Sequence, residues 1–546
     1  MFSVKRASGV YMKKVKHSKM PEMPDKASPR AKPYYSQEDA ENIDYLRDAS
    51  FPGQPPYLRG ITPEMFRTEE WELFLCVESP DLEGARREIR TLASNGMTSF
   101  SLSFDPVMDA ATTRPALFEW TGEDYAGLRI RTAGDFRYLL NSVRSPNCKI
   151  GFHSGYSAPQ VMAMYMSYLL SGRKGLGKMK GFVENNAFEA PSLFGSSRLR
   201  FPLDFSVRMS LSLIEYLLNE APDFSPLTIS GYNLRESGSS EAQEIAFVVA
   251  SALTYLKHAD NAGIDVSELL KRLSFVLGAG MDLPLEVAKF RAARRLWYSS
   301  VRSQFPGLDD DLLRFRFIAR PLKSLLTDSD TEINSVRSTI QAMAAVLGGA
   351  QGIAVGAGTP YTDTAGRNIL SGLMMHRIIA NECSVTDTID PLGGSYYVES
   401  MTNDIEKTAR SYLVKFQDLG SFETAVETGD VYSAVRKNSE KLRDMLSSGE
   451  KLVVERNILA AHRRGKHLKA KTGSKQFYTP TGTSANDITR AKHVVRHDKF
   501  LDAISDCGSV DVRLIGLLIA AFRHGHTLTD VSDALFKLSK SQGQKT

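Results

Sequence analysis

Short apolar runs and longer helical runs alternate along most of this chain. From about residue 96, each apolar or β-branched run is followed by a glycine or polar loop and then by a stretch with helical spacing. The runs that predict strands are Thr98–Phe104, Cys148–His153, Gly181–Glu184, Leu227–Gly231, Leu273–Leu277, Leu313–Ile318, Gly352–Val355 and Val385–Ile389. Helices are predicted over Ala158–Leu170, Val207–Leu218, Glu241–Leu256, Leu285–Val301, Ser335–Leu347, Arg367–Asn381 and Ile405–Leu419. Strands alternating with helices build a parallel sheet, and eight strands close a (β/α)8 TIM barrel; a doubly wound open sheet would usually use fewer. The expected class is thus α/β, a TIM barrel with an N-terminal extended arm and a C-terminal helical hairpin. That hairpin is Val512–Phe522 and Leu528–Leu538 around the turn Arg523–Thr527, with Thr527 or Thr529 as cap and Asp530 in the first turn.

One strand run breaks the usual pattern. In Thr98–Phe104, Ser99, Ser101 and Ser103 share one face and Phe100, Leu102 and Phe104 the other. Barrel interiors are normally filled by branched apolar residues. An inward serine face would leave room and hydrogen-bonding partners along the axis; the alternative is that serines fill a tapered core.

Composition narrows the class. The 546 residues are 42% hydrophobic and 24% charged, as in a soluble globular protein. No apolar run reaches the ~18 residues of a membrane span. Cys76, Cys148, Cys383 and Cys507 have no CxxC spacing, and the histidines have no metal-ligand spacing, so no metal site is expected. The net charge is only +5, and basic residues gather at the ends. A nucleic-acid partner is therefore not implied except through those tails. Lys5, Arg6, Lys13, Lys14, Lys16 and Lys19 precede the first acid, Glu22, a pattern that fits a mitochondrial transit peptide or else a disordered basic tail. The division expected is 1–50 as basic tail and linker, 51–460 as barrel, 461–508 as basic polar linker and 509–546 as hairpin.

Three segments carry a family likeness: Pro226–Gly238 (PLTISGYNLRESG), Val287–Trp297 (VAKFRAARRLW) and Asp390–Glu399 (DPLGGSYYVE). Tyr57-Leu58-Arg59-Gly60 with Glu64-Met65-Phe66, Ser103-Phe104-Asp105 and Ala342–Gln351 (AMAAVLGGAQ) add to it. Together, in order, they resemble the barrel of the methylmalonyl-CoA mutase family. The resemblance implies isomerisation of acyl-CoA thioesters by radical chemistry with adenosylcobalamin, the pantetheine arm threading the barrel axis. It also implies roles. Tyr232 and Asn233 would stand at the catalytic position. Arg59, Phe66, Ser99, Ser101, Ser103 and Glu184 would line the acyl-CoA site. Arg291, Gly356 and Gly358 would lie nearest the cofactor.

Several positions depart from the family. Phe66 replaces a Tyr, and Asn233 replaces a His that donates to the thioester carbonyl. Glu184 replaces a Gln, and the carboxylate-binding Arg position falls near Phe194–Gly195, with Arg198 or Arg200 as substitutes only if the loop shifts. Val355–Pro360 replaces a loop whose Asn and Glu touch the adenosyl ribose. An amide donates a hydrogen bond but is no acid at neutral pH. No Asp-x-His-x-x-Gly occurs in the sequence, so adenosylcobalamin would come only through a separate cobalamin-binding subunit. Two readings stand. One is a non-catalytic structural or regulatory partner in a larger oligomeric complex with other mutase-type subunits. The other is the acyl-CoA-binding subunit of a two-component mutase, an intramolecular transferase acting on a monocarboxylic acyl-CoA. The mitochondrial matrix is the expected location, with the cytoplasm as alternative.

Overall fold

The computed structural model describes residues 32–543, apart from 33, 42–43, 78, 80, 96, 105–126, 142, 144–147, 173–174, 197–198, 328–330, 356–366 and 459–497. Eight parallel strands close on themselves: β1 (Glu72–Val77), β2 (Ser99–Ser103), β3 (Lys149–His153), β4 (Gly181–Glu184), β5 (Phe224–Ser230), β6 (Ser274–Ala279), β7 (Phe317–Pro321) and β8 (Gly352–Ala354). β1 pairs with both β2 and β8, which shuts the ring. The expected (β/α)8 barrel is the observed fold.

The count of eight is right, but its membership shifts at the two ends. Glu72–Val77 is the first strand and is absent from the prediction. Val385–Ile389, predicted as the last, is a run of turns with Ser384 and Asp390 at positive φ. Its alternation of Val, Thr and Ile suits a strand, but the closed ring offers it no edge to pair with.

Residues of alternating parity face opposite sides of the sheet. The outward set, including Leu75, Val77, Phe100, Leu102, Phe152, Val183, Ile229, Phe275, Phe317 and Ile353, is apolar and packs under the surrounding helices. The inward set is mixed. It includes Glu72, Phe74, Cys76, Ser99, Ser101, Ser103, Gly151, His153, Phe182, Glu184, Val276, Ile318 and Arg320, as the register pairs Cys76↔Ser101, Ser103↔His153 and Gly151↔Phe182 require.

The outer helices follow the strands in turn: α1 (Leu82–Ser94), α2 (Ala133–Leu140), α3 (Ala158–Ser171), α4 (Leu203–Glu220), α5 (Glu241–Asn261), α6 (Leu283–Gln304), α7 (Thr331–Leu347) and α8 (Arg367–Glu382). Next come α9 (Tyr396–Asp418), α10 (Asp430–Ser448) and the hairpin α11 (Val512–Arg523) and α12 (Leu528–Gly543). Thr527 caps α12 as expected: its hydroxyl accepts from the Asp530 amide at 3.2 Å, and the Asp530 carboxylate accepts from the Thr527 amide at 2.9 Å. The hairpin buries Leu514, Leu518, Phe522, Val531, Leu535 and Leu538 in one core with Val161, Met162 and Leu169 of α3. Its apolar faces are thus covered by the barrel itself.

Candidate functional site

The barrel interior has three levels. At the N-terminal end, Glu72 accepts from Lys149 at 2.8 Å and from the Ser99 hydroxyl. Thr228 and Ser274 share a hydrogen bond of 2.7 Å on the opposite side.

Apolar side chains fill the waist. Phe74, Phe182, Val276, Ile318 and Leu322 form a buried cluster with Tyr232. The Phe74 and Phe182 rings meet edge to face at 5.6 Å. Ser101 and Gly151 make way for Phe182: a Cβ on Gly151 would overlap the Phe182 ring and lie 2.9 Å from the Ser101 Cβ. The space that the serine face predicts is therefore real, and Phe182 occupies it.

The C-terminal mouth is polar. Four strands carry an inward titratable side chain near this end: Cys76, His153, Glu184 and Arg320. His153 Nδ1 lies 2.8 Å from Glu184 Oε1, and His153 Nε2 lies 3.7 Å from Cys76 Sγ. The Ser101 hydroxyl donates to Cys76 Sγ at 3.2 Å. The Arg320 guanidinium stands 4.0 Å over the Tyr232 ring. Behind them Asn233 donates its amide to Glu189 Oε1 at 3.0 Å.

The charges at this mouth follow from the neighbours. Burial alone would push the Cys76 thiol up, but the Arg320 charge and hydrogen bonds with His153 and Ser101 bring it down to about 6. Burial pushes the His153 imidazole down; Glu184 and Cys76 outweigh it and hold it up to about 9 against Arg320. Despite its own burial, Glu184 is kept below the usual carboxylate range by His153 and Arg320. Glu189 is pushed up to about 8 by burial and by the neighbouring Glu184 charge, so its carboxyl is protonated at neutral pH. The mouth thus presents a thiolate, an imidazolium, a carboxylate, a guanidinium and a neutral carboxyl. Such a set can donate hydrogen bonds to a carbonyl and move a proton.

The residues predicted from the sequence fall into separate places. Tyr232, Asn233, Glu184 and Ser103 gather at the C-terminal mouth. Ser101 is at the waist and Ser99 at the N-terminal level. Phe66 lies at the N-terminal end, packed edge-on against Trp71 at 5.2 Å just before β1. Arg59 is there too, its Nε 3.3 Å from Asp390. Arg291 lies fully buried on α6 outside the barrel, its two terminal nitrogens bonded to Asp390 and Glu399, so it braces α6 against the DPLGGSYYVE segment. Arg200 is held by Asp533 of the hairpin and stacks on Phe536 at 5.1 Å. Gly356, Gly358, Arg198, residues 1–31 of the tail and residues 461–497 of the linker lie outside the described residues, and the end of the linker holds a short helix, Lys499–Ser505.

The sequence reading missed Cys76, His153, Glu189 and Arg320. Three of them sit at the C-terminal ends of barrel strands, where a polar inward residue reads as functional. KIGFH and FIARP carried that signal. For Cys76 it was hidden because ELFLCV was not taken as a strand.

Of the residues expected nearest the cofactor, Arg291 is engaged by Asp390 and Glu399. Among the described residues, no group of three or more His, Cys, Asp or Glu is placed to hold a metal, and no helix is long and apolar enough to cross a membrane.

The fold defines a (β/α)8 TIM-barrel protein with a polar C-terminal mouth. A family model described as methylmalonyl-CoA mutase matches residues 26–541, and the chain belongs to that family of adenosylcobalamin-dependent mutases. It is 26% identical over 516 residues to a probable mitochondrial methylmalonyl-CoA mutase of Caenorhabditis elegans, covering 93% of this chain and 68% of the relative. It is 30% identical over 414 residues to the 2-hydroxyisobutanoyl-CoA mutase large subunit of Aquincola tertiaricarbonis, covering 75% and 73%. It is 25% identical over 525 residues to the mitochondrial methylmalonyl-CoA mutase of Homo sapiens, covering 93% and 67%.

Proposed function

We propose that this chain is a mutase-family barrel subunit that has lost isomerase turnover and serves as a structural or regulatory partner in a larger complex. The observation that carries this reading is the waist. Phe74, Phe182, Val276 and Ile318 stand where a pantetheine arm would thread the axis. The replacements add to it. Asn233 is bonded to Glu189, and Arg291 is held in a buried ion-pair cluster. Each lost transition-state contact of the oxyanion type is worth roughly 2–4 kcal/mol, or about 10²–10³ in rate. Several such losses multiply to a very slow enzyme. The mitochondrial names of the worm and human relatives and the basic N-terminus support the mitochondrial matrix as the location.

The test is thioester isomerisation followed by chromatography, with adenosylcobalamin and a cobalamin-binding subunit from the same source. No turnover is expected from this chain plus that subunit; robust turnover would refute the reading. Mass spectrometry of co-purifying proteins should show other mutase-type subunits.

A second reading is favoured by one observation, the 30% identity to a protein named as a mutase large subunit. Under it, this chain binds a monocarboxylic acyl-CoA and works with a separate cobalamin-binding subunit. It predicts that butyryl-CoA promotes Co–C homolysis, watched optically, once both subunits are present.

A further inference from the structure

The mouth of the barrel contains chemistry that neither mutase reading uses. Cys76, on β1, faces His153 on β3, which in turn faces Glu184 on β4. The chain of contacts runs Cys76 Sγ to His153 Nε2 at 3.7 Å, then His153 Nδ1 to Glu184 Oε1 at 2.8 Å. That order is sulfur nucleophile, imidazole and orienting carboxylate. The three groups come from strands β1, β3 and β4 of one closed sheet, β2 lying between the first two, and a rigid sheet fixes their geometry better than a loop would. The other groups facing the sulfur act in the same direction. Ser101 donates to it at 3.2 Å, and the cations of Arg320 and Lys323 stand close enough to favour a negative sulfur. Glu189, beyond Glu184, is kept neutral by burial and by that neighbour and so adds no opposing charge. Cys76 is partly buried, and His153 and Glu184 are buried beside it, next to the Phe74–Phe182 waist.

We propose that Cys76 is a nucleophilic thiolate that takes the acyl group from an acyl thioester, with His153 as its proton carrier and Glu184 as the residue that positions His153. The Cys76 sulfur attacks the thioester carbonyl carbon, and a new carbon–sulfur bond forms. The original carbon–sulfur bond breaks, and the departing thiolate takes the proton of the His153 imidazolium. The products are an S-acyl Cys76, a free thiol and a neutral imidazole; nothing is oxidised or reduced. The choice of an acyl thioester as substrate class rests on the acyl-CoA reading above, whereas the nucleophile itself rests on the geometry and charges of the mouth.

The test has two arms on the full-length protein. In the first, iodoacetamide alkylation of each cysteine is followed by peptide mass spectrometry from pH 5 to 9. Cys76 should be alkylated at least tenfold faster than exposed Cys383 at pH 6.5, with a midpoint well below that of Cys383. His153→Gln should move that midpoint upwards. The wild-type profile needs no variant, so a misfolded His153→Gln leaves the test intact. A Cys76 no faster than Cys383 at pH 6.5 overturns the proposal. In the second arm, the protein meets butyryl-CoA or the butyryl thioester of N-acetylcysteamine, and hydroxylamine-sensitive acylation is mapped. Acylation of Cys76 by either supports the proposal. Acylation by the short thioester but not by butyryl-CoA keeps the nucleophile and removes the acyl-CoA reading. A reactive Cys76 that accepts acyl groups from neither overturns the acyl-transfer step.

Discussion

Phe182→Ala tests whether the barrel waist is a packed plug. The side chain is 4% exposed, packs edge-on against the Phe74 and His153 rings and lies over the bare backbone of Gly151. Truncating a buried Phe costs about 3–5 kcal/mol through lost transfer energy and the cavity left behind. The cavity here would border Ser101, Cys76 and His153, which can hydrogen-bond entering water. We therefore expect the low end, about 3 kcal/mol. Gly151→Ala supplies the matching probe. Its methyl would overlap the Phe182 ring, so overpacking should cost about 1–3 kcal/mol in the wild type. With Phe182 removed, the ring overlap is gone and the penalty should fall, although the Ser101 Cβ at 2.9 Å must still shift. The expected coupling energy is about 1–2 kcal/mol, as for side chains in direct contact. Urea unfolding of the four proteins measures it, followed by fluorescence of the buried Trp297. Butyryl-CoA titration of wild type and Phe182→Ala gives a second readout, with tighter binding expected once the axis is open. Equal cost of Gly151→Ala in both backgrounds, together with equal butyryl-CoA affinity, would refute the idea that Phe182 blocks the axis.

Other consequences are as direct. Lys289 is fully buried between Glu244 at 2.8 Å and Glu286 at 2.6 Å, so Lys289→Met leaves two buried carboxylates facing Arg235 alone and should cost about 3–5 kcal/mol by urea melts. Stability should also fall with pH through Glu189. Its folded value of about 8 exceeds the unfolded value of 4.5, so the stability linked to its proton is full below about 4.5 and is lost as pH rises through about 8. Between about pH 6.5 and 8, Cys76 gains stability as it ionises while His153 loses it, so the two oppose each other and the fall through Glu189 remains. Glu189→Gln should flatten the melting-temperature profile; an unchanged slope would refute the assignment. Deleting residues from Ser509 onwards uncovers the α3 face that the hairpin buries, and should lower the melting temperature or produce association on sizing. Methylmalonyl-CoA should bind no better than isobutyryl-CoA in calorimetry, because Arg200 is tied to Asp533; a clear dicarboxylate preference would point to Arg320 as the anchor.

The alternation of apolar runs with helical stretches determined the barrel. Each strand buries an outward apolar face under a helix, and that demand is written in local period. The capped hairpin was legible for the same reason, through Thr527, Asp530 and the Leu514–Phe522 stripe. The serine face of β2 was legible as a polar inward face, because period two survives in one strand. What fills the space beside it was not: Phe182 comes from β4, two strands away, and only the closed sheet brings it against Gly151 and Ser101. The fate of the KFRAARRLW arginine was equally hidden. Arg291 meets Asp390 and Glu399 only because the chain folds back beneath α6. The mouth cluster shows the limit most clearly. Cys76, His153, Glu184 and Arg320 are separated by up to hundreds of residues, and each alone is an ordinary side chain at a strand end. Parallel closure puts those ends in one ring, and the low dielectric there lets each group set its neighbour's charge. Local sequence carries propensity and period; which charges meet is decided by topology.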